Sequence, residues 1–308
     1  MELLRRALLW ASTNPTMAHS LPRRTFVRRA VRRFMPGEKL GDALREAGTL
    51  DGRGISTIVT MLGENLETAE QTHAIVDEYV GAMEVAEQRG LDLEISIKPT
   101  HLGLDQDPAL VLENAARLAA RAEGHGTLWI DMEGSAYVEP TLDLYRQLKR
   151  RHANVGLCLQ SYLRRTPADL EELLDLAPRI RLVKGAYAEP AEIAFPDKSD
   201  VDAKFRELAD TLLQHFASGG DGFVGFGTHD PALIDWLAAR TDELGTARER
   251  IEFEMLYGIG VRDQDRLVAA GRPLRVLISY GSAWFPWYMR RLAERPANIW
   301  FVVRSVVR

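Results

Sequence analysis

The 308-residue chain is poor in cysteine. Cys158 stands alone, so no internal disulfide forms, and a reducing compartment suits it best. No stretch of 18 apolar residues occurs, so no transmembrane helix is expected. The short apolar stretch Ala7 to Ala11 is too brief for a signal-peptide core. Also missing is a GxGxxG fingerprint after the first strand candidate, which counts against a dinucleotide-binding open sheet. There is no Ser/Gly-rich linker, no repeat of a few tens of residues and no low-complexity run. A net charge of −5 gives no global reason to expect a nucleic-acid partner.

What is present describes an ordinary soluble globular protein, with 46% hydrophobic and 27% charged residues. At about 150 residues per domain the length allows two domains, but barrels of roughly 250 residues are the standing exception. Such a chain buries a large core without covalent staples. Charge is unevenly spread. Arg5, Arg6, Arg23, Arg24, Arg28, Arg29, Arg32 and Arg33 crowd the first forty residues. A solvated helix face accounts for them most simply, and contact with anionic lipid is the sharper alternative.

Short apolar runs alternate with longer segments of helical period. The runs are Ile55 to Leu62, Leu93 to Ile97, Thr127 to Met132, Val155 to Gln160, Ile180 to Val183, Gly222 to Phe226, Ile251 to Leu256 and Leu274 to Tyr280. After them come amphipathic stretches such as Glu67 to Gln88, Pro108 to Ala122, Val138 to Arg151, Pro167 to Leu176, Asp200 to Ala217, Pro231 to Glu243 and Val261 to Ala270. Pro167 and Pro231 mark helix starts, with Thr166 and Asp230 as caps. Eight strand–helix units imply an α/β protein, a (βα)8 TIM-like barrel, with the doubly wound open sheet as the rival. The expected division is an N-terminal helical extension over residues 1–50 and a catalytic barrel over 51–308.

Active sites of such barrels lie at the C-terminal strand ends. Read in order, those ends present Lys98, Asp131, Glu133, Gln160, Arg181, Lys184, Thr228, His229, Leu256 and Tyr257. The last strand leads to a helix carrying Arg290, Arg291 and Glu294. Two cations, Arg181 and Lys184, close one apolar run and are costly there without an anion beside them. Several cations at one mouth describe a site for a carboxylate or phosphate. Glu294 lies four residues after Arg290 and three after Arg291, so on a helix it neighbours both.

The stretches SIKPTHLGLD (from Ser96), IDMEGS (from Ile130), LQSYLRRT (from Leu159), RLVKGAYAEPAEIAFPDK (from Arg181), GTHDP (from Gly227), FEMLYG (from Phe253) and WYMRRLAERPAN (from Trp287) are together specific. In that order they resemble the proline dehydrogenase family, flavin enzymes built on a (βα)8 barrel. The resemblance implies FAD as cofactor, with no Rossmann fingerprint needed. It implies FAD contacts from Met132, Gln160, Arg181, Lys184, Gly185, Ala186, Thr228 and His229, with Arg181 near the flavin's reactive edge and no metal. For His229 the plainer reading is a helix-cap cluster, and both readings are compatible. The resemblance further implies that Arg290 and Arg291, with Lys98, clamp a carboxylate, that Glu294 holds an arginine in place, and that Asp131 orients Lys98 or Arg291. Leu256 and Tyr257 are expected in the apolar wall. The implied reaction is dehydrogenation of L-proline to 1-pyrroline-5-carboxylate, with a quinone as electron acceptor and a cytoplasmic location, peripheral to the inner membrane face if the basic N-terminus meets lipid. Homo-oligomers are compatible with it.

One position departs from the family's pattern. Three residues before Tyr280, where the family usually carries a tyrosine, this chain has Leu277. In a regular strand Tyr280 lies on the opposite face and does not replace that ring. A roomier pocket makes 4-hydroxyproline, pipecolate or piperazate the alternative substrates. Trp129 and Gly134 also stand where charged residues are common. Two rivals come from other classes. One is a metal- or Schiff-base-dependent barrel lyase using Asp131, Glu133, His229 and Lys184, whose spacing fits no metal motif. The other is an inert flavin-binding barrel.

Overall fold

A computed structural model describes residues 31–63, 66 and 68–294, with side chains as far as Met289. A first helix, α1 (Leu40–Asp51), precedes the alternation. The expected apolar runs then become β1 (Ser56–Met61), β2 (Leu93–Ile97), β3 (Leu128–Ile130), β4 (Val155–Gln160), β5 (Arg179–Val183), β6 (Phe223–Gly227), β7 (Ile251–Leu256) and β8 (Leu274–Tyr280). Between them lie α2 (Ala69–Arg89), α3 (Pro108–Ala122), α4 (Val138–Lys149), α5 (Thr166–Leu173), α6 (Lys198–Ala217), α7 (Pro231–Glu243) and α8 (Val261–Ala269). Helix α9 (Trp284–Glu294) follows β8. The strands pair in sequence order, all parallel, and β8 returns to β1 from Ser56↔Arg275 to Met61↔Tyr280. That closure makes a (βα)8 barrel and removes the open sheet.

Local chemistry sets the helix ends. Thr68 accepts from the Gln71 amide while Gln71 reaches back to the Thr68 amide, a reciprocal cap for α2, which stops at Gly90 with φ 66°. Asp107 and Asp230 cap α3 and α7, each followed by proline. Thr166, expected as the cap of α5, is instead its first residue. Its hydroxyl donates to the Gln160 carbonyl at 2.7 Å and ties the helix to the end of β4.

Strand alternation divides the barrel into a dry outside and an ionic inside. Ile95, Ile97, Ile180, Leu182, Val224, Phe226, Phe253, Met255, Val276 and Ile278 are buried between sheet and helices. Their neighbours face the lumen, because they bond across it to strands that are not adjacent. Arg275 on β8 reaches Glu252 at 2.9 Å, Asp92 at 2.9 Å and Glu94 on β2 at 3.4 Å. Glu94 also accepts from Trp129 Nε1 at 2.6 Å and the Thr127 amide at 2.8 Å. Buried ions persist only where partners satisfy them, and this storey is satisfied from four strands.

Two elements sit where a simple repeat would not put them. Helix α1 packs on the outside of β1 and β8 through Ala43, Leu44, Ala47 and Leu50. Helix α9 builds a separate apolar cluster, in which Trp284, Phe285, Trp287, Tyr288 and Met289 meet Val31, Phe34, Met35 and Leu62. Trp284 Nε1 donates to Glu38 at 3.0 Å. Leu62 follows β1 and Ile259 follows β7, so this cluster rims the C-terminal mouth. The arginines of the first thirty residues lie outside the described residues. Among the described residues no helix is long and apolar enough to cross a membrane.

Candidate active site

The C-terminal mouth gathers one polar group after another from different strands. Asp131, just past β3, is the hub. Its Oδ1 accepts from Ser96 Oγ at 2.8 Å and from Arg181 Nη1 at 3.1 Å, and its Oδ2 lies 3.5 Å from Lys98 Nζ. Arg181 Nη1 also donates to Ser96 Oγ at 2.9 Å, and its Nε donates to Glu254 at 2.5 Å. The guanidinium stacks 4.5 Å over the Trp129 ring. Arg181 thus meets protein carboxylates, which make a buried cation tolerable. Its Nη2 remains buried without a partner.

On the β4 side, the Gln160 amide nitrogen donates to the Met132 carbonyl at 3.1 Å. Its Oε1 is buried with no hydrogen bond. The side chain thus presents a buried, unpaired acceptor, and its nitrogen keeps a second N–H beyond the one given to Met132.

Lys184, half-buried, is held by Asp202 at 2.5 Å and Asp230 at 3.1 Å. Lys198 bonds the same two carboxylates. Burial raises the Asp230 carboxyl, but the two lysines outweigh it and bring it down to about 2. Gly185 has φ 108°, and a Cβ there would lie 2.1 Å from the Tyr162 ring. Glycine is required for the turn and for Tyr162 to pack under it, with Ala186 half-buried beside it.

His229 accepts the Leu256 amide on Nε2 at 2.8 Å, so it ties the end of β6 to the end of β7. Thr228 Oγ1 accepts from the Asp230 amide at 3.2 Å, and Asp230 both caps α7 and pairs with Lys184. Glu133 accepts from the Thr100 amide and hydroxyl, at 3.1 and 2.6 Å, and is spent on that turn.

Leu256 and Leu277 are register partners on the inward faces of β7 and β8. Both are half-buried, and Leu277 is the one residue of β8 that is not fully buried. The β8–β1 register runs unbroken past it, so Tyr280 faces the helices, as alternation requires. Tyr257, expected beside Leu256 in the wall, takes the opposite face for the same reason and donates its hydroxyl to Glu46 on α1 at 3.2 Å. Arg290, Arg291 and Glu294 ride on α9, but their side chains lie outside the described residues.

Reading only strand ends overlooks Ser96, Glu254 and the roles of Trp129. The signal was available. In Leu-Glu-Ile-Ser-Ile-Lys and Ile-Glu-Phe-Glu-Met-Leu every second residue is polar inside a buried strand, which marks a polar lumen.

Comparison with known proteins adds four findings. The family model described as proline dehydrogenase matches residues 43–304. Proline dehydrogenase 2 of Bacillus subtilis subsp. natto is 35% identical over 280 residues, covering 91% of this chain and 90% of that protein. Proline dehydrogenase of Deinococcus radiodurans is 35% identical over 313 residues, covering 100% and 99%. Among solved structures, proline utilization A from Bdellovibrio bacteriovorus, inactivated by N-propargylglycine, superposes with a TM-score of 0.79 at 20% identity. It shares the fold over 95% of this chain, which spans 36% of that one.

Proposed function

The chain belongs to the proline dehydrogenase family, and from that premise we propose that it is an FAD-dependent enzyme that oxidises L-proline to 1-pyrroline-5-carboxylate and passes the electrons to a quinone. The observation that best supports this reading is the Lys98–Asp131–Arg181 cluster, with one guanidinium nitrogen buried and unpaired at the mouth.

The residues fit the cofactor. Gln160 Oε1 and Arg181 Nη2 are a buried acceptor and a buried donor without protein partners, as groups that hydrogen-bond a flavin ring would be. The Lys184–Gly185 turn, with its left-handed glycine, suits the diphosphate-bearing tail, and Met132, Ala186, Thr228 and His229 line the same arc of strand ends. Bound FAD would supply the two-electron acceptor, taking a hydride at N5.

The chain's own residues do the rest. Lys98, with Arg290 and Arg291 of α9, binds the substrate carboxylate, for which guanidinium forks are well shaped. Glu294 steadies those arginines. The same cations disfavour an ammonium beside them, so the bound amine gives its proton to water. Its lone pair then forms the C=N bond as the hydride leaves the adjacent carbon. Asp131 keeps Lys98 and Arg181 at fixed separation, which hydride transfer needs. Leu256 and Leu277 exclude water above the ring.

A second reading has its own observation. Leu277, only partly buried on β8, stands where a tyrosine would narrow the pocket, which favours the same chemistry on 4-hydroxyproline, pipecolate or piperazate. Anaerobic titration of the purified protein separates the two. Loss of visible flavin absorbance with L-proline at modest concentration is expected on the first reading, and bleaching by an analogue alone on the second. A flavin that none of them bleaches defeats the substrate assignment, and a colourless protein that takes up no added FAD defeats the cofactor.

A further inference from the structure

Glu254 is a buried carboxylate at the mouth with no part in the chemistry above. It lies on the inward face of β7, two residues before Leu256, and is 3% exposed. Its Oε2 takes Arg181 Nε at 2.5 Å, while Oε1 is buried without a hydrogen bond. The lumen is shaped around it: a Cβ on residue 225 would lie 1.9 Å from Oε1, so glycine at that point of β6 makes the room. Arg181 is therefore gripped at Nε by Glu254, at Nη1 by Asp131 and Ser96, and across its face by Trp129. Only Nη2 is left over. In charge, Lys98 and Arg181 stand against Asp131 and Glu254.

We infer that Glu254 is a positioning residue: it fixes the Arg181 guanidinium so that Nη2 meets the flavin, and its charge cancels that of Arg181 and holds the flavin's reduction potential down. The inference rests on the FAD reading above. Reduction adds negative charge to the flavin, so a bare cation beside it favours the reduced form. A cation neutralised by a carboxylate in contact exerts a much weaker field. A carboxamide in the same place keeps an acceptor for Nε and removes the charge. An aspartate keeps the charge and shortens the reach. An alanine at 225 leaves every titratable group in place and pushes the carboxylate off Arg181.

Redox titration of the flavin-loaded protein tests this. Glu254→Gln is expected to raise the equilibrium constant for reduction at least tenfold, about 30 mV for a two-electron couple. Glu254→Asp should raise the potential by less than Glu254→Gln does, because the charge stays in the lumen but loses contact with Arg181, while kcat falls and KM hardly moves because the guanidinium is held less firmly. Gly225→Ala should shift the potential upward like Glu254→Gln, and it carries the test if Glu254→Gln does not fold. An unchanged potential in Glu254→Gln or in Gly225→Ala, or equal shifts in the Gln and Asp variants, overturns the inference. A parent protein that binds no flavin defeats the functional reading instead, and is seen before any variant is made.

Discussion

Single residues in this molecule are set by what they must neutralise or make room for. Asp131 accepts from two strands and faces two cations, so exchange for an apolar residue takes the carboxylate from Lys98 and leaves Arg181 to Glu254 and Ser96. Leu277 is the opposite case, an apolar side chain on the inward face of β8 that is only partly buried. Leu277→Tyr would put a ring and a hydroxyl there. The ratio of kcat/KM for L-proline over a six-membered analogue is expected to move about tenfold or more toward proline, within the usual range for one pocket contact. Steady-state kinetics with both substrates check this, and an unmoved ratio means that Leu277 does not select.

Among the elements, the two helices at the ends of the described chain carry the most information. Helix α1 occupies the outer wall beside β1 and β8, and α9 lies at the rim. The arginines proposed to clamp the substrate are therefore brought to the mouth by packing of α9 on Val31, Phe34, Met35 and Leu62. Trp284→Ala removes the anchor of that cluster, including its bond to Glu38. A loss of about 3–5 kcal/mol in the clustered region is expected from deletion of a buried tryptophan. Denaturant unfolding followed by tryptophan fluorescence and by circular dichroism checks it. KM for the substrate should rise in the same variant if the arginines of α9 form the proposed clamp.

At the scale of the whole molecule, the barrel interior is an ionic column rather than an apolar one. Glu94, Asp131, Glu252 and Glu254 face Lys98, Arg179, Arg181 and Arg275 in a space closed by eight strands. The crowding has a measurable consequence. Burial raises the Glu252 carboxyl, Arg275 opposes it, and nearby Glu254 and Glu94 add to the rise, which carries it from 4.5 to about 8. A carboxyl raised in the folded state stabilises fully below its unfolded value, and that contribution is lost as pH climbs through the folded one. Stability should therefore decline across about pH 4.5 to 8 from this group. Glu252→Gln should flatten that slope in a series of thermal melts, and an unchanged slope would place the proton elsewhere.

The sequence by itself determined the alternation of strand and helix, the aspartate–proline start signal at Asp230, and the family. Those are local patterns of period and capping, or contiguous motifs, and they read off one residue after another. It also marked Lys98, Asp131, Arg181 and Lys184 as charges that needed partners. Only the tertiary structure decided who those partners are. Arg181 meets Glu254 from a strand 73 residues away, and Lys184 meets Asp202 and Asp230. Closure of the barrel sets such pairs, because it brings β2, β5 and β7 to one axis. Tyr257 turned to Glu46 and Thr166 to the Gln160 carbonyl for a related reason: strand parity and the nearest unmet acceptor outrank position along the chain.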